Sequence, residues 1–274
     1  MKLLHRVRHA FRRVVQTRRA FDNPGSVLAT TVLGGLGRRT LDITFDVRGG
    51  KVVAPARRGA LFPVYEVFAE DVYRLARLTE GLPPDARVLD VGAHVGSFTV
   101  ALAQALPKAH IWAYEASPTT AEYLHASVRA SGLGDRVDVR PEALAAAGGE
   151  IVLHDAGVAS PLSSTTKHSG ATTVTVPCVT IADAFVRCGG SPDLVKIDAE
   201  GVEYDLLLLS EPGLWTGVRR IVLEYHEVEG HTPDQVVQRF SGLGLHLVAH
   251  EPMIGNPREG MMWFSRDGAG EGRR

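Results

Sequence analysis

The sequence predicts an α/β fold built on a mostly parallel sheet, and three observations lead there. From residue 86 onward, short apolar strand patterns alternate with amphipathic helix patterns through brief connections. The first of these strands runs into a glycine-containing turn and then a helix, in "VLDVGAHVGSFT" at residues 88–99. The last two apolar segments, "LHLVAH" from Leu245 and "MMWFS" from Met261, have no helix between them and should pair antiparallel at an edge.

Taken in order, residues 1–21 contain no acid, and Leu3, Leu4, Val7, Phe11, Val14 and Val15 recur at helical spacing. This is a basic amphipathic helix. It can pack on the protein body or a partner subunit, touch a membrane surface or nucleic acid, or serve in targeting; packing is the simplest reading. Residues 40–54 alternate Leu41, Ile43, Phe45 and Val47 before Arg48-Gly49-Gly50, a strand entering a hairpin turn. Residues 64–78 change to helical spacing through Val67, Val72, Leu75 and Leu78, and Pro83-Pro84 closes the segment.

The main alternation follows. Strands are expected at 88–91, 111–114, 137–140, 194–197 and 221–223, with helices at 97–106, 118–130, 202–209 and 233–243. Right-handed crossovers then place helices on both faces of the sheet. Residues 145–178 include the Ser-, Thr- and Gly-rich stretch 160–174 and read as an irregular surface loop, placed where it could also cover a substrate. The expected division is an accessory region of helix and short strands at 1–63, a main domain at 64–266 and a disordered tail at 267–274.

A chain 45% hydrophobic and 22% charged, with a formal charge of −1, is an ordinary soluble globular protein, and that balance argues against one built to hold nucleic-acid backbones. No apolar run approaches the ~18 residues of a spanning helix and no secretory pattern opens the chain, so the cytoplasm is the expected location. Cys178 and Cys188 are too far apart for a C-x-x-C motif and read as buried small hydrophobes.

Open parallel sheets bind ligands beyond the carboxyl ends of their strands, which is where Asp90 and the turn Gly92-Ala93-His94-Val95-Gly96 fall. A dinucleotide site would show G-x-G-x-x-G, and Asp90 would repel a pyrophosphate. S-adenosylmethionine has no phosphate and carries an ammonium and a sulfonium, so it suits Asp90. In "YEASP" the next strand ends on Glu115, placed to accept hydrogen bonds from ribose hydroxyls, with Ala116 and Ser117 beside it. Glu142 and Ala143 follow the third strand, where an adenine pocket would lie.

"VLDVGAHVGSFT", "YEASP", "PDLVKIDAEGVEYDLL" and "IVLEYHE" together resemble the successive motifs of the FkbM-type methyltransferases, over about residues 60–228. The ordered set carries the resemblance; each motif alone is weak. The resemblance implies a Rossmann-like class I methyltransferase fold with a seven-stranded sheet and an antiparallel last strand. It also implies S-adenosylmethionine as cofactor and methylation of a small-molecule acceptor, commonly a hydroxyl of a natural product or sugar. Residue by residue, Asp90, Gly92 and Gly96 match the cofactor loop, Glu115 the ribose acid, and Asp198, Glu200, Gly201 and Glu203 the K-I-D-x-E-G-x-E signature. His94 fits its position in the loop.

Methyl transfer to an alcohol needs alignment and a proton acceptor. Asp198 ends the fourth strand beside the expected methyl group and is a candidate catalytic residue, with Glu200 a candidate base on the next turn. Either acid could instead ligate a divalent cation. Glu203, one turn into the helix, suits a capping and dipole role or a substrate contact. His226 is the candidate base of "VLEYHE", with Glu224 as orienter or substrate contact. Lys196, in a buried strand pattern, should pair with an acid, and Asp183 reads as a solvent-facing helix acid. Three alternatives stay open: N- or carboxyl-methylation, a nucleotide-dependent oxidoreductase, and a non-catalytic nucleoside-binding protein. The oligomeric state is open too.

Overall fold

The computed structural model describes residues 2–36, 41–155 and 172–267. Helix α1 (Lys2–Ala20) is the expected basic helix. Helix α2 (Pro24–Leu36) was not anticipated, because "PGSVLATTVLGGL" has no polar face to give it a helical signature. Strands β1 (Asp42–Val47) and β2 (Gly50–Pro55) form the expected antiparallel hairpin.

Residues 64–78, expected as one helix, are interrupted. Helix α3 (Arg58–Tyr65) passes into a π-helical turn over Glu66–Glu70, and α4 (Leu75–Thr79) is separate. Asp71 and Arg74 adopt φ of +48° and +53°, left-handed conformations that a continuous helix cannot contain. The Asp71 carboxylate accepts from the Leu75 N–H at 3.0 Å and restarts the helix.

The main alternation forms within two residues or so of its expected bounds. It begins with β3 (Arg87–Val91), α5 (Ser97–Ala105), β4 (His110–Tyr114), α6 (Pro118–Ala130) and β5 (Val137–Arg140). Helix α6 starts where it does because Ser117 Oγ accepts from Thr120 N–H at 3.2 Å and Pro118 occupies the first turn. Residues 145–178 are not simply a loop. β6 (Ala143–Leu144), β7 (Gly149–Asp155) and β8 (Thr172–Val179) make a three-stranded sheet of their own, burying Leu153, Val176 and Cys178. The alternation was present in "EIVLHD" and "TVTVPCV" but was overshadowed by the small polar residues between them. Those at 156–171, with most of the expected loop, lie outside the described residues, as does the tail at 268–274.

Helix α7 (Ile181–Arg187) opens with a capping box between Thr180 and Asp183, so Asp183 caps the helix rather than merely facing solvent. Then come β9 (Leu194–Ile197), α8 (Glu203–Leu208), a 3₁₀ turn at Pro212–Gly217, β10 (Arg220–Tyr225), α9 (Pro233–Ser241), β11 (His246–Met253) and β12 (Asn256–Ser265).

The central sheet has the order β11-β12-β10-β9-β3-β4-β5. Strands β10, β9, β3, β4 and β5 are parallel, and β12 is antiparallel to both neighbours, which gives the expected edge pair. This is the seven-stranded Rossmann-like arrangement. Strand alternation divides the side chains between two cores. Val88, Ile111, Ala113 and Val222 join α5, α6 and the β1–β2 hairpin on one face, while Leu89, Val91, Tyr114 and Leu223 join α7, α8 and α9 on the other. Cys178 and Cys188 are buried free thiols, as expected. No helix among the described residues is long and apolar enough to cross a membrane.

Candidate active site

β3 lies between β4 and β9, where the strand order reverses, and a cavity of about 350 Å³ opens beyond the carboxyl ends of these strands. Its wall takes residues from the turn after β3, the ends of β4, β9 and β10, the small sheet, and the α3 and π-helical region.

The turn after β3 is shaped by close approach. Gly92 has φ of +74°, and a Cβ there would lie 1.7 Å from the carbonyl oxygen of Asp198. Only glycine fits. The N–H groups of Gly92 and Ala93 donate to the Tyr114 carbonyl at 3.0 and 2.9 Å, tying the turn to β4. Gly96, at φ of +89°, starts α5.

Glu115 is fixed by that turn: its carboxylate accepts the His94 N–H and the Ser117 N–H, each at 2.9 Å. Burial pushes its pKa up to about 7 against the lowering effect of these two bonds. The carboxylate retains free acceptor sites. Both ring nitrogens of His94 are buried without a partner among the described residues, and burial holds the imidazole neutral with a pKa of about 4. Such orphaned groups mark a place where a ligand supplies the missing bonds.

Asp90 does not line the cavity. It is fully buried, accepts from Thr99 Oγ1 at 2.5 Å and faces Lys196 Nζ at 3.6 Å. Lys196 pairs as expected: its Nζ also lies 3.4 Å from Asp198 and donates to the carbonyls of Val91 and Gly92 at 3.2 and 2.6 Å. Burial opposes the ammonium charge, but Asp198 and Asp90 outweigh it and raise its pKa. Gly96 and Ser117 also lie off the cavity, the second as the buried cap of α6, whereas Ala93, Ala116, Glu142 and Ala143 line it. The Glu142 carboxylate is paired with Arg187 at 2.6 Å.

The signature after β9 folds into a tight bend. Glu200 takes φ of +50°, and its carboxylate points to the cavity, where burial and the charges of Asp198 and Glu203 bring its pKa up to about 7. Glu203 is not the substrate contact the sequence suggested. It is 1% exposed and folds back, accepting from Ala199 N–H at 3.0 Å and Gly201 N–H at 2.9 Å. Its Oε1 also lies 2.8 Å from His226 Nδ1.

That contact changes the role open to His226. Burial works against its charge, yet the Glu203 hydrogen bond and the charges of Glu203, Asp198 and Glu200 prevail and lift its pKa to about 10. At neutral pH the imidazole is therefore protonated and has no lone pair with which to act as a base. Its Nε2 lies 3.6 Å from Glu200. Ligand atoms of Asp198, Glu224 and His226 fall within 4.8 Å of one another, a donor set that could hold a metal ion.

Two further acids crowd the cavity. Burial and the charge of Asp198 push Glu66 and Glu224 each up to about 8. Glu66 escaped the sequence reading because the π-helical turn widens the helix and presents both Glu66 and Val67 to the cavity, a placement that 3.6-residue spacing does not encode. Tyr73, whose hydroxyl lies 3.5 Å from Asp198, was missed for the same irregularity.

The family described as methyltransferase FkbM domain matches residues 90–246, more than half of the chain. Among solved structures, a methyltransferase FkbM from Methylobacillus flagellatus aligns with a TM-score of 0.48 at 12% identity, covering 75% of this chain and 53% of that one. TYW2 of M. jannaschii, solved with AdoMet, aligns with a TM-score of 0.46 at 13% identity, covering 84% and 87%. The curated AMB antimetabolite synthetase AmbE of Pseudomonas aeruginosa is 28% identical over 219 residues, 66% of this chain and 10% of that protein. The chain thus spans about a tenth of that relative and about half of the M. flagellatus chain. With the family match running from Asp90 through the turn, Glu115, the Asp198–Glu203 bend and His226, this chain belongs to the FkbM methyltransferase family.

Proposed function

We propose that the chain is an S-adenosylmethionine-dependent O-methyltransferase of the cytoplasm, acting on a hydroxyl of a small molecule such as a natural product or sugar. The observation that carries the cofactor is the charge of the cavity. Glu66, Glu115, Glu200 and Glu224 all have pKa values raised to about 7–8 by burial, with the charge of Asp198 adding to it, so a cationic ligand relieves the cost of ionising them. S-adenosylmethionine brings a sulfonium and an ammonium, and supplies an electrophilic methyl group. Glu115 offers its free acceptor sites to the ribose hydroxyls, and the unpartnered imidazole of His94 offers a further polar contact. Ala116, Glu142 and Ala143 form the wall nearest the adenine.

The chain's own part in the chemistry is alignment and proton transfer. Glu200, rather than His226, is the base of this reading: a carboxylate with a pKa of about 7 matches the working pH and faces the cavity. Asp198 and the protonated His226 orient the acceptor, and Glu203 positions His226 and the bend that bears Glu200. Asp198, Glu224 and His226, the last only after giving up a ring proton, would hold a divalent cation, which would supply Lewis acidity toward an acceptor hydroxyl. The poised base favours oxygen acceptors, since a neutral amine attacks without losing a proton first. Incubating the protein with labelled S-adenosylmethionine and sets of alcohols, carboxylic acids and amines tests this: label in an ether product supports the reading, and label only in amine or ester products overturns the assignment of a hydroxyl acceptor.

A further inference from the structure

Helix α1 sits on the body with its polar side inward. Thr17 is fully buried and shares a 2.7 Å hydrogen bond with the Tyr65 hydroxyl, Arg13 lies 3.9 Å over the Tyr65 ring, and Gln16 donates to Glu70 at 2.7 Å. At 3.6 residues per turn, Phe11, Val14 and Arg18 come out on the opposite side. Accordingly Phe11 is 70% exposed and Val14 36%. The helix thus packs on the body, as expected, but does so by its polar side.

Helix α2 repeats the anomaly. It has no charged residue, and Val32 and Leu33 are 60% and 58% exposed. A surface helix of an ordinary globular protein turns such residues inward. Charge adds the second half of the picture: residues 2–20 hold seven Lys or Arg and no Asp or Glu, in a chain whose formal charge is −1.

We propose that α1 and α2 form a docking surface for an anionic lipid bilayer, with Phe11, Val14, Val32 and Leu33 entering the headgroup boundary and the exposed Arg18 and Arg19 meeting lipid phosphates. An amphipathic helix with an aromatic on one face and Arg on the other has the chemistry that interfacial binding requires. Nucleic acid would use the arginines but leave the apolar side chains in water, and a second copy of the chain would bring two strongly basic helices together. The docked helix is bonded through Gln16 to Glu70, the last residue of the turn that carries Glu66 and Val67 into the cavity. Helix α1 thereby lies between the bilayer and an element of the cavity wall.

Co-sedimentation of the full chain with vesicles of phosphatidylcholine alone and with added phosphatidylglycerol tests the proposal. Binding is expected only to the anionic vesicles. Replacing both Phe11→Ser and Val14→Ser lowers the partition coefficient by about tenfold or more. Arg18→Gln and Arg19→Gln lower it by about fivefold each at low salt. Because all four side chains are exposed, circular dichroism and the melting temperature stay at their wild-type values, which separates lost docking from lost folding. The proposal is overturned by absence of binding to anionic vesicles, by equal partitioning of wild type and the Phe11→Ser/Val14→Ser variant, by light scattering that shows a dimer disrupted by that variant, or by duplex DNA binding that outcompetes the vesicles.

Discussion

Replacing Glu203→Gln should destabilise the protein in a pH-dependent way. The carboxylate is 1% exposed and joins the 199–201 bend to His226. Glutamine is of nearly the same size, so packing is preserved while the charge opposite the imidazolium is lost. Removing one partner of a buried ion pair costs roughly 3–5 kcal/mol, and because His226 keeps an edge on the cavity the lower figure, about 3 kcal/mol, applies. The folded-state pKa of His226, about 10, lies above its ordinary 6.5, so the pair's contribution is fully present below pH 6.5 and is lost as pH rises through about 10. Thermal melts of wild type and variant at about pH 6 should therefore differ by roughly 6–12 °C, with the gap shrinking to a few degrees above about pH 10. A gap of equal size at both pH values, or a wild-type His226 titrating near 6.5 by NMR, refutes the argument.

Gly92→Ala should abolish cofactor binding and lower the melting temperature, because its Cβ would meet the Asp198 carbonyl at 1.7 Å; calorimetry and a melt report both, and unchanged binding contradicts the close approach. Glu200→Gln should retain cofactor affinity but lose at least about a hundredfold in kcat. In wild type kcat should rise with pH through about 7 as Glu200 deprotonates, and an unaltered profile in the variant removes Glu200 from proton transfer. Manganese titrated into the protein should bind in a wild-type chain and bind about tenfold or more weakly in Glu224→Gln, read by calorimetry or electron paramagnetic resonance. Equal affinity in the two places the ion elsewhere.

Regular elements were legible because a parallel sheet buried on both faces imposes apolar strands and evenly spaced helices, and Leu89, Ile111, Val195 and Leu223 follow that rule. Where function bends the backbone, periodicity gave less. The π-helical turn at Glu66 and the left-handed Asp71 and Arg74 broke a helix that Val67, Val72 and Leu75 appeared to continue in sequence. The candidate site was legible as a set of positions, since Glu115, Asp198 and His226 each follow a strand end. Their roles depended on contacts between elements far apart in sequence. Nothing local reveals that Asp90 is buried against Lys196 and Thr99, or that Glu203 reaches across to His226 and charges it.

The central claim is that this cavity binds the S-adenosylmethionine skeleton with Glu115 at its ribose. Titration of S-adenosylhomocysteine by calorimetry into wild type and a Glu115→Ala variant tests it most directly. The account predicts one site per chain in wild type and affinity reduced by about a hundredfold in the variant, the effect of losing two charge-assisted hydrogen bonds. Absence of binding to wild type, or undiminished binding to a folded Glu115→Ala variant, would contradict it.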